Sequence, residues 1–485
     1  MKGFGIHIGN TTCCIAYIKD DKLDVLPNDA GDRTTPSMIT YLENEMNVGL
    51  PAKQRAARFP RSTMTNMKSL FATRQDSKLV PTVIVENGTI GFQLVVGEDK
   101  HLFVSVDKGI EILFQKMYEI ATHFAGGSEK EYPCIIAVPL GWSVDDRQRM
   151  KKCAEKAGFR VLQTASESAT SLLAYKIGDI VPNCTCLIYR CGGSTLDVSL
   201  VRVSNGLYSV KSSISRNEGG DQLTKILANF LADEFRQRYK LDPRESKRSF
   251  GKLLSAAEQS KHILSTMNSS HVFVESLCEG VDFSTNVSRA RFEMLVQTHI
   301  SRLCSPIQEC IEKGGFTAGA IDKLIIVGGS LRMPGFQQAV KDRLPNAELL
   351  SSVSPDEVIA VGAAQQAAIM ADIGLTDVLN SAVPVSCLPE KISLKVDLTD
   401  VTVFEPYAPV PSFSQINVPY RGNGLPKPAQ ICKNNEVIFE KTLSDVQDNT
   451  DISARFLLQR DGHLAISLSS ESKGELVREI VPFVR

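Results

Sequence analysis

A chain of 485 residues exceeds what one hydrophobic core usually organises, so about two to four domains are expected. With 43% hydrophobic residues, 22% charged residues and a net charge of −1, it reads as a globular protein without the basic excess that draws a chain to nucleic acid. No window offers about 18 predominantly apolar residues, which argues against a membrane span, and the 12 cysteines lie in apolar contexts such as Cys13-Cys14 without a C-x-x-C pair, as expected of reduced thiols in the cytosol.

The opening apolar run is interrupted by His7 and closed by Lys19-Asp20-Asp21-Lys22 without a small-residue cleavage site, so a first strand is expected and not a signal peptide. In FGIHIGNTTCCIAYI, from Phe4, two apolar strands flank the turn Gly9-Asn10-Thr11-Thr12. Such a hairpin turns backbone N–H groups and small hydroxyls toward a phosphate chain. Asn28-Asp29-Ala30-Gly31-Asp32-Arg33 is a turn cluster before the strand-like SMITYL, and a basic helical piece is expected from Lys53 to Leu70. Ile110, Leu113, Phe114, Met117 and Ile120 recur at helical spacing, after which CIIAVPL reads as a buried strand ending at Pro139. Asp145 to Gly158 is a charged helix with a glycine stop, and RVLQTA is a strand leading through Ser166-Glu167-Ser168 into a helix reaching Tyr175.

The opening pattern then returns. CLIYRCGGSTLDVSLV, from Cys186, is again strand, turn and strand, with Gly192-Gly193-Ser194-Thr195 in the turn. The repetition implies two similar α/β lobes, lobe I over about residues 1–181 and lobe II over about 182–373. Lobe II carries a helix-patterned insertion from about Asp221 to Arg302, interrupted by the strand-like SSHVFVESL and a turn at Glu279-Gly280. In KLIIVGGSLRMPG a buried strand brings Gly328-Gly329-Ser330 to the N-terminus of an expected helix, a place suited to an anion. From about Gly374 helix formers disappear and prolines, among them Pro384, Pro406, Pro419 and Pro428, punctuate short alternating segments. Residues 384–485 therefore read as an antiparallel β-sandwich, joined by a linker over 374–383 whose apolar centre suits docking on a surface.

A metal-dependent phosphotransfer site would carry a carboxylate two residues before each turn glycine; His7 and Arg190 stand there instead. The basic clusters Lys53, Arg55, Arg58, Arg61 and Arg147, Arg149, Lys151, Lys152 have acidic or apolar neighbours at helical spacing and read as solvated helix faces, not as an RNA surface. Cys184, Cys186 and Cys191 alternate in a buried strand without a fourth nearby ligand, so no metal site is assigned.

Taken in order, GIHIGNTTCC, NDAGDRTTPS, IIAVPLGW, Gly192-Gly193-Ser194-Thr195 with Asp197, NEGGD, SRARFE, IIVGGSLRMP and SPDEVIAVGAA resemble the signatures of the DnaK-type heat-shock chaperones, from Phe4 to about Asp372. From Val383 onward the likeness rests on order and length. The resemblance implies a two-lobed, actin-like ATPase domain with ribonuclease-H-like lobes over 1–373, then a truncated substrate-binding-like β-sandwich without the helical lid of typical members. It implies ATP or ADP as ligand, its phosphates held by Gly9, Asn10, Thr11 and Thr12 on one side and by Gly192, Gly193, Ser194 and Thr195 on the other, with Gly219 and Gly220 near the cleft floor. Glu258, Lys261, His262 and Ser265 would hold the adenosine end together with Gly329, Ser330 and Arg332, and Asp356 matches a further cleft residue. His262 stands where the family usually has an arginine. Lys68 matches the lysine that positions the hydrolytic water, and Glu167 a carboxylate near the metal, with Ser168 in place of the usual proline.

In the family, the positions of His7 and Arg190 carry aspartates that hold Mg²⁺ through its water shell. Phosphoryl transfer depends on positioning and charge neutralisation, and exchanging two carboxylates for an imidazole and a guanidinium adds about three positive charges; a guanidinium about 4 Å from Mg²⁺ would feel roughly 8 kcal/mol of repulsion at an effective dielectric near 20. Efficient metal-dependent hydrolysis is therefore not expected, and ATP binding should depend weakly on Mg²⁺. Arg190 either pairs with phosphate oxygens through its planar fork or turns to a neighbouring acid. Within the family this pattern is similar to the ribosome-associated, Ssz-like branch, which implies a stable heterodimer with a zuotin-type J-domain protein, the ribosome, a catalytically active DnaK-type chaperone and nascent polypeptides as partners, in the cytosol. An autonomous ATP-driven chaperone is the alternative; a small-molecule kinase or filament protein shares the two-lobed fold, but the β-sandwich argues against it.

Overall fold

The structure, a computed structural model, describes residues 3–482 apart from 20–21, 44, 73–81, 98–99, 126–130, 179–180, 182, 205–206, 373–386, 389, 398, 405–407, 410–411, 422–425, 445, 447–449, 459–462 and 471. It opens with β1 (Phe4–Ile8), β2 (Thr12–Lys19) and β3 (Lys22–Val25), with β4 (Thr35–Pro36) paired to β2. A small sheet of β5 (Ile39–Leu42), β6 (Glu45–Val48) and β7 (Thr63–Met64) brackets α1 (Leu50–Ala56) and precedes α2 (Met67–Ala72). Another, of β8 (Val83–Glu86), β9 (Thr89–Val95) and β10 (His101–Ser105), leads to α3 (Val106–Ala125). Then β11 (Tyr132–Val138), α4 (Val144–Lys156), β12 (Phe159–Ser166) and α5 (Glu167–Ala174) complete a sheet of order β12-β11-β1-β2-β3.

The plan is then repeated. β13 (Cys184–Cys191), β14 (Leu196–Ser204) and β15 (Leu207–Arg216) are followed by α6 (Gly220–Tyr239), α7 (Lys247–Thr266), a hairpin of β16 (Ser269–Cys278) and β17 (Val281–Ser288), and α8 (Arg289–Lys313). β18 (Lys323–Val327), α9 (Pro334–Lys341), β19 (Glu348–Leu350) and α10 (Val358–Asp372) finish a second sheet of order β15-β14-β13-β18-β19. In both sheets the central strand pairs antiparallel with the next strand in sequence and parallel with a later one. A strand with helices on both faces must be apolar on both, and β13 is buried at every position, Arg190 included.

Each sheet has its own core, one around Ile6, Phe114 and Ile136, the other around Leu187, Phe235 and Leu324. A third cluster joins them through Cys14 and Ala137 of the first sheet, Cys186 and Ile188 of the second, Leu172 of α5 and Val358 to Ala364 of α10. Small residues make that junction: a Cβ on Gly5 would lie 2.1 Å from Ala364 N, and one on Gly362 1.7 Å from Thr170 O.

Two local expectations are corrected. Lys53 to Leu70 is not one helix, because Pro60 opens a 3-10 turn (Pro60–Ser62) and the chain passes through β7 before α2 begins. Gly328-Gly329-Ser330 does not start an α-helix: Gly328, at φ 100°, leads into the 3-10 turn Gly329–Arg332, and α9 begins only at Pro334. The linker 374–383 lies outside the described residues.

The chain divides into two compact units, Met1–Ala382 and Val383–Arg485. The second contains β20 (Cys387–Leu388) paired with β23 (Ala408–Pro409), and two four-stranded sheets. One sheet runs β22 (Thr399–Phe404), β21 (Ile392–Val396), β25 (Lys427–Lys433), β26 (Glu436–Leu443); the other runs β24 (Ser412–Tyr420), β27 (Thr450–Leu458), β28 (His463–Ser470), β29 (Gly474–Pro482). Ile452, Ala454, Phe456 and Leu458 alternate inward against Ile392, Leu394 and Ile431 in one sandwich core. Among the described residues no helix follows α10, and none is long and apolar enough to cross a membrane.

Because backbone meets backbone where α10 crosses α5, a side chain at that crossing has nowhere to go. Gly362→Val should therefore cost about 3 kcal/mol or more, read as a drop in the urea midpoint of the first unit, while a valine at Gly251, which has open space around its Cβ position, should cost under about 1 kcal/mol.

Candidate functional site

The two glycine turns are built alike. Gly9 N–H donates to Thr12 O and Gly192 N–H to Thr195 O, each at 2.9 Å, so each turn is closed by the same bond across four residues. The turns face each other closely: a Cβ on Gly193 would lie 2.3 Å from Thr11 Cγ2. Asn10 Oδ1 accepts from Ser69 N–H at 2.8 Å and ties the first turn to α2. The second rests on the start of α6, where Gly220 and Asp221 N–H groups donate to Gly192 O and Gly193 O at 2.9 and 2.8 Å, and Ser330 Oγ donates to Gly192 O at 2.9 Å. A Cβ on Gly219 would lie 2.5 Å from Gly192 O, so this contact requires glycine.

Behind the turns lie five titratable groups in one buried network. Ser166 caps α5, accepting from Ala169 N–H at 3.2 Å, and so sets Glu167 at the first position of the helix, where the exposed N–H groups favour an anion. The cap fixes the helix start that a proline at Ser168 would otherwise fix. Glu167 Oε1 accepts from Lys68 Nζ and lies 3.2 Å from His7 Nε2, which is also 3.4 Å from Lys68 Nζ. Glu167 Oε2 accepts from Arg190 Nε at 2.9 Å. Arg190 Nη1 donates to Asp197 Oδ2 and to Thr195 Oγ1, the latter at 3.1 Å, and Asp197 Oδ1 accepts from Ser215 Oγ. Of the two courses open to Arg190, its Nε and Nη1 follow the second, turning to neighbouring acids.

The protonation states follow from these contacts. Burial, then Lys68, pulls His7 down to about 4, so its imidazole is neutral at physiological pH. Burial alone would raise the Glu167 carboxyl, but Arg190, Lys68 and His7 outweigh it and hold the carboxyl well below the usual range. Burial pushes the Lys68 amine down against the pull of Glu167. Lys68 and Arg190 thus face Glu167 and Asp197, and the formal charges cancel. The roughly three positive charges that the two substitutions add thus bring the network to neutrality, with Asp197 opposite Arg190 in the β13–β14 register.

The residues expected at the adenosine end divide. Glu258, Lys261, His262 and Ser265 share one face of α7, but Lys261 is turned inward, donating to Gly220 O at 3.2 Å and Thr224 Oγ1 at 2.8 Å. Glu258 pairs with Lys53 of α1 at 3.1 Å, and His262 is open to solvent 4.0 Å from Glu258. Ser265 Oγ donates back to Lys261 O at 3.1 Å. Arg332 is held by Asp356 at 3.0 Å and Ser354 Oγ at 2.9 Å, while a Cβ on Gly329 would have open space. Of the basic residues in the chain, Lys53, Arg55, Arg149 and Lys151 are paired with Glu258, Glu45, Asp107 and Glu155.

An anionic ligand fits the turns, where Ser194 Oγ is buried without a hydrogen-bond partner between facing loops of backbone N–H groups. A hydrated divalent cation does not fit between these groups, since Glu167 and Asp197 are already engaged by Lys68 and Arg190. Residues 3–407 match the Hsp70 protein family model. The chain belongs to the Hsp70 family. It is similar along its length to proteins named Heat shock 70 kDa protein 14: 33% identical to that of Danio rerio over 98% of this chain and 97% of the relative, and 34% identical to those of Bos taurus and Homo sapiens over 98% of both chains in each case. Hsp70 proteins are chaperones that bind ATP or ADP.

Two functional contacts were missed in the sequence. Asp197 was legible, because a four-residue turn closing at Gly192 and Thr195 puts position 190 opposite 197. The Lys53–Glu258 pair carried no signal, since its partners come from helices about two hundred residues apart.

Acidification should destabilise this Hsp70 through His7. Between about pH 6.5 and 4 the unfolded imidazole binds a proton that the folded one refuses, so stability falls with falling pH, by up to about 3 kcal/mol. Urea midpoints across that range should show the slope in the natural protein and a smaller one in His7→Gln. The contribution of Glu167, whose folded pKa is depressed, is complete above the usual carboxylate range and is lost only as pH falls further, through its lowered value.

Proposed function

We propose that this Hsp70 is an atypical chaperone subunit that binds ATP or ADP, hydrolyses it little or not at all, and acts as a fixed binding partner instead of a cycling motor. The observation that carries the proposal is the replacement of a carboxylate pair by His7 and Arg190 within a charge-balanced network. Lys68 and Glu167 remain but are bound to one another, so neither is free to orient an attacking water. Backbone N–H groups of the two turns would hold the phosphates, as the unpartnered Ser194 hydroxyl favours.

In this reading the subunit joins a zuotin-type J-domain co-chaperone as a stable heterodimer on the ribosome, in the cytosol, and helps it stimulate a catalytically active DnaK-type chaperone on nascent polypeptides. Support for that part is the end-to-end similarity to the Heat shock 70 kDa protein 14 proteins together with the replaced acids. The linker and the β-sandwich are the proposed contacts for the J-domain partner.

Single-turnover assays should find bound ATP and no hydrolysis above background in the natural protein, with activity appearing only when His7 and Arg190 are both changed to aspartate. Brisk Mg²⁺-dependent turnover in the natural protein would instead favour an autonomous ATP-driven chaperone. Removing the chain after Leu375 should abolish the heterodimer in co-purification with the J-domain protein; a complex of undiminished affinity would refute that interface.

A further inference from the structure

We propose that Arg190 is a built-in tether between the two halves of the nucleotide domain, doing with a fixed guanidinium what a bound cation could do, so that nucleotide enters a preset cleft and does not close it. The ligand part of this inference rests on the nucleotide reading; the tether does not. Arg190 stands on β13, the central strand of the second sheet, whereas Glu167 begins α5, which follows the edge strand β12 of the first. Their Nε–Oε2 contact of 2.9 Å therefore crosses from one half to the other, with side chains 9% and 5% exposed.

Both ends of the bridge are anchored. On its own side Arg190 is held by Asp197 and Thr195 Oγ1, through a register that sets position 190 opposite 197. On the other side the second oxygen of Glu167 is held by Lys68 and faces His7. The order of charges is Asp197, Arg190, Glu167, Lys68, alternating in sign from one half to the other. A divalent cation entering this line would have to displace the buried Lys68 ammonium from Glu167, or the buried Arg190 guanidinium from Glu167 or Asp197.

Two further ion pairs join the halves among the described residues, Lys53–Glu258, about one-third exposed on each side, and Arg33–Glu357, in which the guanidinium is more than half exposed, and pairs with such exposed cations hold little. The apolar junction of α5 with α10 joins the halves at their base whatever is bound. Arg190 adds a tie at the level of the glycine turns, where a ligand would otherwise be needed to supply one. Removing one partner of such a pair is far more damaging than never having it, because the other charge is left buried.

The test is amide hydrogen exchange of the full chain at α5 (Glu167–Ala174) and β13 (Cys184–Cys191), the two elements the ion pair joins and not the turns whose N–H groups a phosphate would cover, without ligand, with ATP in EDTA, and with ATP and Mg²⁺. The ligand-free natural protein should exchange there within about twofold of the ATP-bound one, with or without Mg²⁺, and Arg190→Met should raise ligand-free exchange at both elements at least about tenfold. Glu167→Gln keeps the shape while removing the charge and should raise it in the same direction; it serves if Arg190→Met does not fold. Fast ligand-free exchange at both elements in the natural protein, slowed more than about tenfold by ATP with Mg²⁺, would overturn the tether. A protein that binds no ATP yet exchanges slowly at both elements would end the nucleotide reading and leave the tether standing.

Discussion

The structure around the cleft depends on one buried ion pair, Arg190 with Glu167. Neither charge could be buried alone: each removed from water without a partner would cost several kcal/mol. Glu167 is stabilised at a helix start, by Lys68 and by Arg190; Arg190 by Glu167 and Asp197. The pair therefore brings together α2, α5, β13 and β14, the elements that carry or support both glycine turns. Net stabilisation from such a network is small because desolvation offsets attraction, and its effect is to specify geometry.

That constraint acts on a frame that was already duplicated. Each half places an antiparallel hairpin beside a parallel strand, closes its turn with the same glycine N–H bond, and sets one residue of the central strand two positions before that glycine. The duplicated frame explains why one site needs two residues, His7 and Arg190, to change its chemistry. With an aspartate at each, the frame would present acids from both halves to one metal. With a neutral imidazole and a guanidinium it presents an ionic bond between the halves, and the same backbone turns remain available to phosphate.

Much of this was legible in the sequence. The repeated strand-turn-strand pattern located both turns, and the shift to proline-punctuated alternation near Gly374 announced the β-sandwich, because hydrophobic period and turn chemistry are local properties. Failures occurred where local pattern competed with a single backbone restraint, as when Pro60 divided the basic segment, or where a partner lay far away in sequence. The hydrogen bonds of Lys261 are of that second kind: its amine, on α7, donates to Gly220 O and Thr224 Oγ1 of α6. The partner of Arg190 is set by register and not by composition, since Asp197 lies directly opposite it on the adjacent strand β14.

The most direct measurement is calorimetric titration of the purified full chain with ATP in EDTA and again with saturating Mg²⁺. If a fixed guanidinium network stands where a metal would sit, the two affinities should agree within about threefold, a difference of roughly 0.6 kcal/mol. ATP affinity that appears only with Mg²⁺ would contradict the account, because it would require a cation in a place the structure gives to Arg190.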